Sequence, residues 1–114
     1  MIKVYGIPNC DTVKKARAWL TAHGVAHEFH DFKKQGVPED RLAAWQAAVG
    51  WVRLLNRRGP TWRQLDPEVQ AGVVDAASAR PVMMVHSSVI KRPVVDWGNA
   101  ITVGFDAEDW AARI

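Results

Sequence analysis

The sequence predicts an α/β fold in which a β-α-β unit and a β-β-α unit enclose a block of helices. Three observations indicate this order. A short apolar strand pattern at Ile2–Gly6 is followed by an amphipathic helix pattern over residues 11–23. The middle of the chain carries several helix start signals, and two strand patterns near its end flank Trp97-Gly98-Asn99. A strand, a helix and a second strand within about thirty residues favour a right-handed crossover.

Turn and cap residues support each element of the first unit. Gly6-Ile7-Pro8-Asn9 ends the first strand pattern with turn-forming residues. Apolar residues of the following helix recur on one face, and Gly24 is a C-terminal stop. Residues 27–32 alternate well enough to form a second strand. The apolar helix positions are Val13, Ala16, Trp19 and Leu20.

Several helices are predicted in the middle of the chain. Asp66 is expected to cap a helix over residues 67–77, since Asp is a favoured N-cap and Pro67 suits the first helical position. Ser78 is expected to cap the next helix, which runs through Val85 with Pro81 in its first turn. The other predicted helical segments are 38–49, ended by Gly50, and 51–56.

The end of the chain is predicted to be a hairpin followed by a helix. Val94-Val95-Asp96 and residues 100–103 flank the turn at Trp97-Gly98-Asn99. Asp106 is expected to cap a closing helix at Ala107–Arg113. The order β-α-β, helices, β-β-α then accounts for the whole chain.

The bulk composition is typical of one globular domain. The 114 residues are 48% hydrophobic and 24% charged, with a formal net charge of +3 and a pI near 9.4. This mild basicity suits small anionic partners better than nucleic acid. The first residues enter a strand pattern directly and no long apolar run follows, so we expect no signal peptide, no membrane span and a cytoplasmic location. His27 and His30 fall on opposite faces of a strand, so no metal site is expected.

The single cysteine, Cys10, lies between the first strand and the first helix. Helix starts present unpaired N–H groups and a partial positive charge, both of which stabilise a thiolate. We therefore predict a lowered thiol pKa and a nucleophilic role, the alternative being a small buried apolar residue. Asp11 should oppose ionisation and Lys14 should favour it, but we expect the backbone N–H groups to matter more than either side chain.

Four segments carry a resemblance that covers nearly the whole chain. The first runs from Tyr5-Gly6-Ile7-Pro8-Asn9-Cys10 into the helix start at Asp11-Thr12-Val13-Lys14-Lys15-Ala16. The others are Phe29-His30-Asp31-Phe32, Leu54-Leu55-Asn56-Arg57-Arg58-Gly59 and Ile90-Lys91-Arg92-Pro93-Val94. In this order they resemble the arsenate reductase (ArsC)/Spx family, and within it the YffB branch. The resemblance implies a thioredoxin-like fold with a mixed four-stranded sheet, a core at about 1–35 and 88–114, and an all-helical insertion at about 36–87, in one domain.

The resemblance and the lone cysteine together imply a monothiol reductase. In Cys10-Asp11-Thr12-Val13, Val13 stands where a dithiol oxidoreductase has its second cysteine. No other cysteine can resolve a mixed disulfide, so an external thiol must do so. Glutathione or a glutaredoxin is the expected co-substrate or partner, with no tightly bound cofactor.

The resemblance also implies the residues that bind an anionic substrate or glutathione. It implies a cis proline at Pro93 beside the cysteine, and it positions Arg92 to meet an anion, for which a guanidinium fork is well suited. A basic residue before Gly59 should have a similar role, and Arg58 aligns better than Arg57. The alternatives are a strand-entry proline and solvated arginines. The expected binding residues are Arg92, Pro93, Arg58, Lys14, Lys91 and Thr12.

One departure from the family pattern bears on the substrate. Arsenate-reducing members carry a further arginine just after the last strand, whereas Thr102-Val103-Gly104-Phe105 offers no basic side chain here. Losing one charge-assisted contact of three should weaken oxyanion binding by roughly 1.5–3 kcal/mol. We therefore do not expect arsenate to be the physiological substrate.

A regulatory role is the alternative function. Spx-type relatives bind RNA polymerase through the helical insertion, and Gly50 and Arg58 keep the spacing used there. Spx-type regulators that sense oxidation usually have a second cysteine, which this chain lacks. The enzyme is therefore the preferred interpretation.

Overall fold

A mixed four-stranded sheet organises the two ends of the chain. In the computed structural model, which describes all 114 residues, the strand order is β2-β1-β3-β4. Strand β1 (Ile2–Gly6) pairs in parallel with β2 (His27–Asp31) and antiparallel with β3 (Val94–Asp96). Strand β4 (Ile101–Val103) pairs antiparallel with β3. The predicted β-α-β and β-β-α units therefore share one sheet, as expected.

Two helices cover this sheet. Helix α1 (Asp11–Ala22) connects β1 to β2, and α8 (Ala107–Arg113) closes the chain. The Asp106 carboxylate caps α8, as predicted, by accepting hydrogen bonds from the N–H groups of Glu108 and Asp109 at 3.1 and 3.2 Å. The helices and sheet enclose a core whose fully buried members are Val4, Ala16, Leu20, Val95 and Trp110.

The chain divides into two compact units. The first is Met1–Phe32 with Arg92–Ile114, and the second is Lys33–Lys91. The helical insertion predicted at about 36–87 lies within the bounds of this second unit. None of the helices has the length and apolar character needed to cross a bilayer.

The second unit is built from short helices around its own apolar interior. Helix α3 packs against α4 and α7, and a 3-10 turn at Ser87–Val89 packs against α5 and α7. The buried interior includes Leu42, Trp45, Leu54, Met83 and Ile90. The helices are α2 (Phe32–Gln35), α3 (Glu39–Val49), α4 (Trp51–Leu54), α5 (Pro60–Gln64), α6 (Pro67–Gly72) and α7 (Ala76–Val85).

The predicted start of α7 was wrong. Asp75, not Ser78, is the N-cap, and the two residues form a capping box. The Asp75 carboxylate accepts from the Ser78 N–H at 2.8 Å, and the Ser78 hydroxyl oxygen accepts from the Asp75 N–H at 3.0 Å. Because the helix begins at Ala76, Pro81 lies in its interior instead of its first turn.

The predicted end of α6 was also too late. The helix stops at Gly72 instead of continuing to residue 77, because the Val73 N–H bonds the Gln70 carbonyl and the chain then enters the capping box of α7. Asp66 is at the N-cap position of α6 as predicted, but its side chain makes no capping hydrogen bond. Helix α5 was not predicted, although Pro60 occupies a favoured first-turn position.

Candidate active site

The thiol of Cys10 lies at the N-terminus of α1, directly after the turn that ends β1. Cys10 is the N-cap residue and has extended backbone angles, φ −115° and ψ 125°. Its carbonyl accepts a hydrogen bond from the Lys14 N–H at 2.9 Å, which starts the helix. The residue is only partly buried, so a reagent in solution can reach the sulfur.

The pKa of Cys10 is lowered from its ordinary value. Partial burial acts in the opposite direction and is the largest single influence, because desolvation disfavours the thiolate. Against it act the Val13 N–H, the Arg92 side chain through a hydrogen bond and its charge, and the Thr12 N–H. Together these donors outweigh burial, so the site favours the thiolate.

The two N–H groups belong to the first turn of α1. The Cys10 side chain does not make a conventional capping hydrogen bond, yet the thiolate is stabilised by the N–H groups of Val13 and Thr12. An anion responds to the dipoles of a helix start even where capping geometry is incomplete. Sequence reasoning expected such N–H groups but did not single out Val13, which occupies the third helical position after the N-cap.

Arg92 reaches Cys10 because the strand it precedes lies beside β1. Tyr5 of β1 is paired with Val94 of β3, so the start of β3 adjoins the end of β1 and the Cys10 turn. The Arg92–Pro93 peptide bond is cis, as the resemblance implied. Pro93 is buried, and its carbonyl accepts a hydrogen bond from the Gly104 N–H at 2.9 Å.

Lys14 and Thr12 differ in their effect on the thiol. Lys14 is exposed, and its Nζ lies 3.5 Å from the Asn9 Oδ1. The groups that shift the Cys10 pKa include Arg92 but neither Lys14 nor Asp11. The positive charge that lowers the pKa of Cys10 is that of Arg92. Thr12 contributes through its backbone N–H.

A close approach between β1 and α1 fixes the position of the Cys10 turn. Gly6, the last residue of β1, is buried. A Cβ added there would lie 2.9 Å from Cγ2 of Val13 and 3.8 Å from Cε1 of Phe29. Only a residue without a side chain lets the first turn of α1 pack this closely against the strand end.

Arg58 and Lys91 lie in the second unit, where both line an open groove of about 590 Å³. The Arg58 N–H donates to the Asn56 Oδ1 at 3.2 Å, and the Lys91 N–H donates to the Leu54 carbonyl at 2.7 Å. Arg53 and Arg57 line the same groove. The expected anion-binding residues of this unit thus share one basic surface with no acidic side chain in its lining.

Arg57 differs from Arg58 in its surroundings. Its guanidinium carbon lies 5.5 Å from the ring centroid of Trp51 and 5.7 Å from that of Trp62. Such cation–π contacts restrain an arginine side chain. No group of three or more His, Cys, Asp or Glu side chains is arranged to hold a metal ion.

Comparison with known proteins identifies the family. The ArsC family model matches residues 5–113. The chain belongs to the ArsC family. A relative from Haemophilus influenzae, an uncharacterised protein, is 38% identical over 112 residues, covering 98% of this chain and 97% of its own. The solved structure of a YffB protein has a TM-score of 0.95 at 44% identity, covering 99% of this chain and 98% of its own.

Regulators of the same family are also similar. The global transcriptional regulator Spx of Streptococcus pyogenes is 24% identical over 115 residues, covering 96% of this chain and 81% of its own. These relatives and the sheet topology confirm the ArsC/Spx family and the thioredoxin-like fold that the sequence motifs implied. A solved arsenate reductase (ArsC) related protein from Brucella melitensis is also similar, at 45% identity and a TM-score of 0.75, covering 97% of this chain and 92% of its own.

Proposed function

We propose that this ArsC-family protein is a glutathione-linked monothiol reductase of the cytoplasm, with Cys10 as its nucleophile. The observation that supports this most strongly is the environment of the Cys10 sulfur. The thiol is partly exposed, starts a helix and has a pKa lowered by two backbone N–H groups and Arg92. A thiolate is the nucleophilic form of cysteine, so the site is suited to attack on an electrophilic sulfur.

The proposed reaction is two successive thiol–disulfide exchanges. The Cys10 thiolate attacks the glutathione sulfur of a mixed disulfide, forming a Cys10–glutathione disulfide and releasing the substrate thiolate, which takes up a proton. A second glutathione thiolate then attacks the glutathione sulfur of this adduct. Glutathione disulfide leaves, and the Cys10 thiolate is restored. Each turnover consumes one reduced glutathione, which leaves joined to the glutathione of the original mixed disulfide, since the chain has no second cysteine to displace the adduct.

Arg92 and Pro93 complete the proposed site in the first unit. Arg92 stabilises the thiolate before attack and again when Cys10 leaves as a thiolate in the second step. Pro93 holds the backbone beside Cys10 through its hydrogen bond from Gly104. Thr12 contributes its N–H to the thiolate, and Lys14, one helical turn away, is proposed to bind an anionic group of the co-substrate.

Arg58 and Lys91 are proposed to bind an anionic substrate or glutathione. The support is the basic groove that they line together with Arg53 and Arg57. Clustered cations without acidic neighbours raise the local concentration of anions. Arsenate is not the proposed substrate, because Thr102-Val103-Gly104-Phe105 lacks the further arginine of arsenate-reducing members.

A turnover assay tests this function. The protein is given a glutathione mixed disulfide of a small thiol together with reduced glutathione, and formation of glutathione disulfide is followed by its enzymatic reduction with NADPH. We expect a saturable rate that Cys10→Ser abolishes. A rate that is equal for the wild type and Cys10→Ser would contradict the proposal, because the uncatalysed exchange alone would then explain it.

A regulatory function is the second candidate, favoured by the similarity to Spx along nearly the whole chain. The groove of the second unit would be its binding surface, since it combines four cationic side chains with Val52, whose exposed fraction is 57%. Capture of the RNA polymerase α-subunit by wild type and by Cys10→Ser alike, but not by Arg58→Glu, would support the regulator over the reductase.

A further inference from the structure

A basic groove along α1 forms a second candidate site in the first unit. Its volume is about 690 Å³, and its lining runs from Pro8 past Lys14 and Arg17 to His27 at the start of β2. We propose that this groove binds a small dianion of the phosphate or dicarboxylate class, at a site that does not include the thiol of Cys10 but shares Lys14 with the proposed co-substrate site. The proposal goes beyond the reductase function and does not depend on it.

Arg17 is the residue on which the proposal chiefly rests. The sequence places it on the polar side of α1, yet it is only partly exposed. Its guanidinium carbon lies 4.1 Å from the ring centroid of Phe29, so the side chain lies across β2. Its Nε is buried and makes no hydrogen bond. Arg17 also lines the groove, so the guanidinium N–H groups other than Nε are the donors available to an oxyanion there.

Lys14 adds a further donor to the same groove, and His27 lines it with a ring. Lys14 stands three residues before Arg17 on α1, which brings the two cations to neighbouring positions of the helix surface. The His27 Nδ1 lies 3.1 Å from the Val25 carbonyl, which can only accept, so that nitrogen carries the hydrogen. Nε2 of the neutral ring is then an acceptor, so the anion-binding donors of the groove are Lys14 and Arg17.

The charged side chains that line the groove favour an anion. Neither Lys14 nor Arg17 takes part in a salt bridge, and no acidic side chain lines the groove. Two cations with no counter-charge attract an anion most strongly when it carries two negative charges. An arginine fork binds carboxylate and phosphate oxygens in particular.

Small side chains leave room for such a ligand. Ala18 and Thr21 follow Lys14 on one stripe of α1 and form part of the groove wall. The volume lies within the range of small-molecule sites, roughly 300–1,000 Å³. The groove flanks β2, whereas Arg92 reaches Cys10 from the β3 side of β1, so occupancy need not block the thiol.

Titration of the amide resonances with inorganic phosphate and, separately, with succinate tests the proposal. We expect saturable shifts centred on Lys14, Arg17 and His27 with at least one anion, and the tighter anion identifies the class. Arg17→Gln should weaken binding about tenfold or more, since a charge-assisted contact is lost. Lys15→Gln, the same charge change at an exposed position of α1 outside the groove, should change the affinity less than twofold.

Three results would overturn the proposal. They are the absence of saturable shifts with either anion, equal shifts from sodium chloride at matched ionic strength, and an Arg17→Gln affinity equal to that of Lys15→Gln. If Arg17→Gln does not fold, Lys14→Gln takes its place with the same expectation, because that side chain is exposed. Repeating the titration with Cys10→Ser separates this site from the reductase, since the affinity should be unchanged there.

Discussion

Ionisation of Cys10 depends on a balance between burial and donated hydrogen bonds. Burial disfavours the thiolate, while the N–H groups of Val13 and Thr12 and the Arg92 side chain favour it. Two of these donors are built into the backbone of α1 and cannot be removed by a side-chain substitution. Arg92 is the one contributor that mutagenesis can remove cleanly.

The first prediction concerns Arg92. Arg92→Ala should raise the pKa of Cys10 towards its value in the unfolded chain, because the hydrogen bond and the positive charge are lost together. The rate of alkylation by iodoacetamide as a function of pH measures this pKa. Lys14→Ala is the matched control and should leave the midpoint unchanged. A larger shift for Lys14→Ala than for Arg92→Ala would show that the assignment of the charge is wrong.

The lowered pKa also makes stability depend on pH. A thiol with a lower pKa in the folded state stabilises the fold fully above the unfolded pKa, about 8.5. This contribution is lost as pH falls through the folded-state pKa. The free energy of unfolding of wild type relative to Cys10→Ser, measured in urea, should therefore increase as pH rises through this window. A difference that falls with rising pH would contradict the lowered pKa.

At the scale of elements, capping residues decide where helices begin. Asp66 and Asp75 both precede a helix, yet only Asp75 accepts a hydrogen bond from its helix N-terminus. The sequence predicted a cap at Asp66 and took Ser78, instead of Asp75, as the cap of α7, although Ser78 is the third residue of that helix. Whether an aspartate side chain caps its helix depends on backbone geometry, and Asp75 is fully extended, with φ −154° and ψ 179°.

The capping box of α7 gives a prediction about the free energy of unfolding. Asp75→Ala should lower the free energy of unfolding by about 1 kcal/mol, within the 0.5–2 kcal/mol typical of lost caps. Asp66→Ala is the control and should cost much less, since its side chain makes no capping hydrogen bond. Urea unfolding of both variants measures the difference. Equal losses would show that the capping box contributes no specific stability.

The approach of β1 to α1 gives a prediction on packing. Gly6→Ala should destabilise the fold by about 1–3 kcal/mol, as overpacking does, because the new Cβ would lie 2.9 Å from Val13. Gly72→Ala is the control, since its Cβ would meet nothing within 4 Å and alanine favours a helix. Thermal unfolding distinguishes the two. A Gly6→Ala variant as stable as Gly72→Ala would mean that Val13 moves aside without cost.

At the scale of the whole molecule, the sequence predicted the element order better than the element boundaries. Hydrophobic periodicity and motif order identified the four strands, α1, α3 and α8, because each buries an apolar face in the sheet or the helical interior. The boundary between α6 and α7 and the short helix α5 were missed, because local hydrogen bonds decide them.

The residues of the candidate site were predicted better than their roles. Cys10 stands out as the single cysteine after a turn, and the family motifs pointed to Arg92 and Pro93. The roles of Lys14 and Arg92 in thiolate stabilisation could not be ranked, because sequence distance favours Lys14 while β1–β3 pairing brings Arg92 to the sulfur. The contact of Arg17 with Phe29 could not be predicted, because it joins helix α1 to strand β2 through packing that the sequence alone does not reveal.

The electron flow of the proposed reductase follows from its single thiol. A dithiol enzyme resolves its own mixed disulfide, whereas this chain has no second cysteine and must release its adduct to an external thiol. The adduct should therefore accumulate whenever reduced glutathione is withheld. This separates the proposed mechanism from one in which Cys10 has only a structural role.

Intact-mass spectrometry after treatment with glutathione disulfide tests this account most directly. We predict one glutathione per chain, located on Cys10, absent in Cys10→Ser, and fully removed by reduced glutathione. A wild-type protein that stays unmodified under conditions in which a free cysteine peptide reacts would contradict it, because a nucleophilic thiolate open to solvent must exchange with glutathione disulfide.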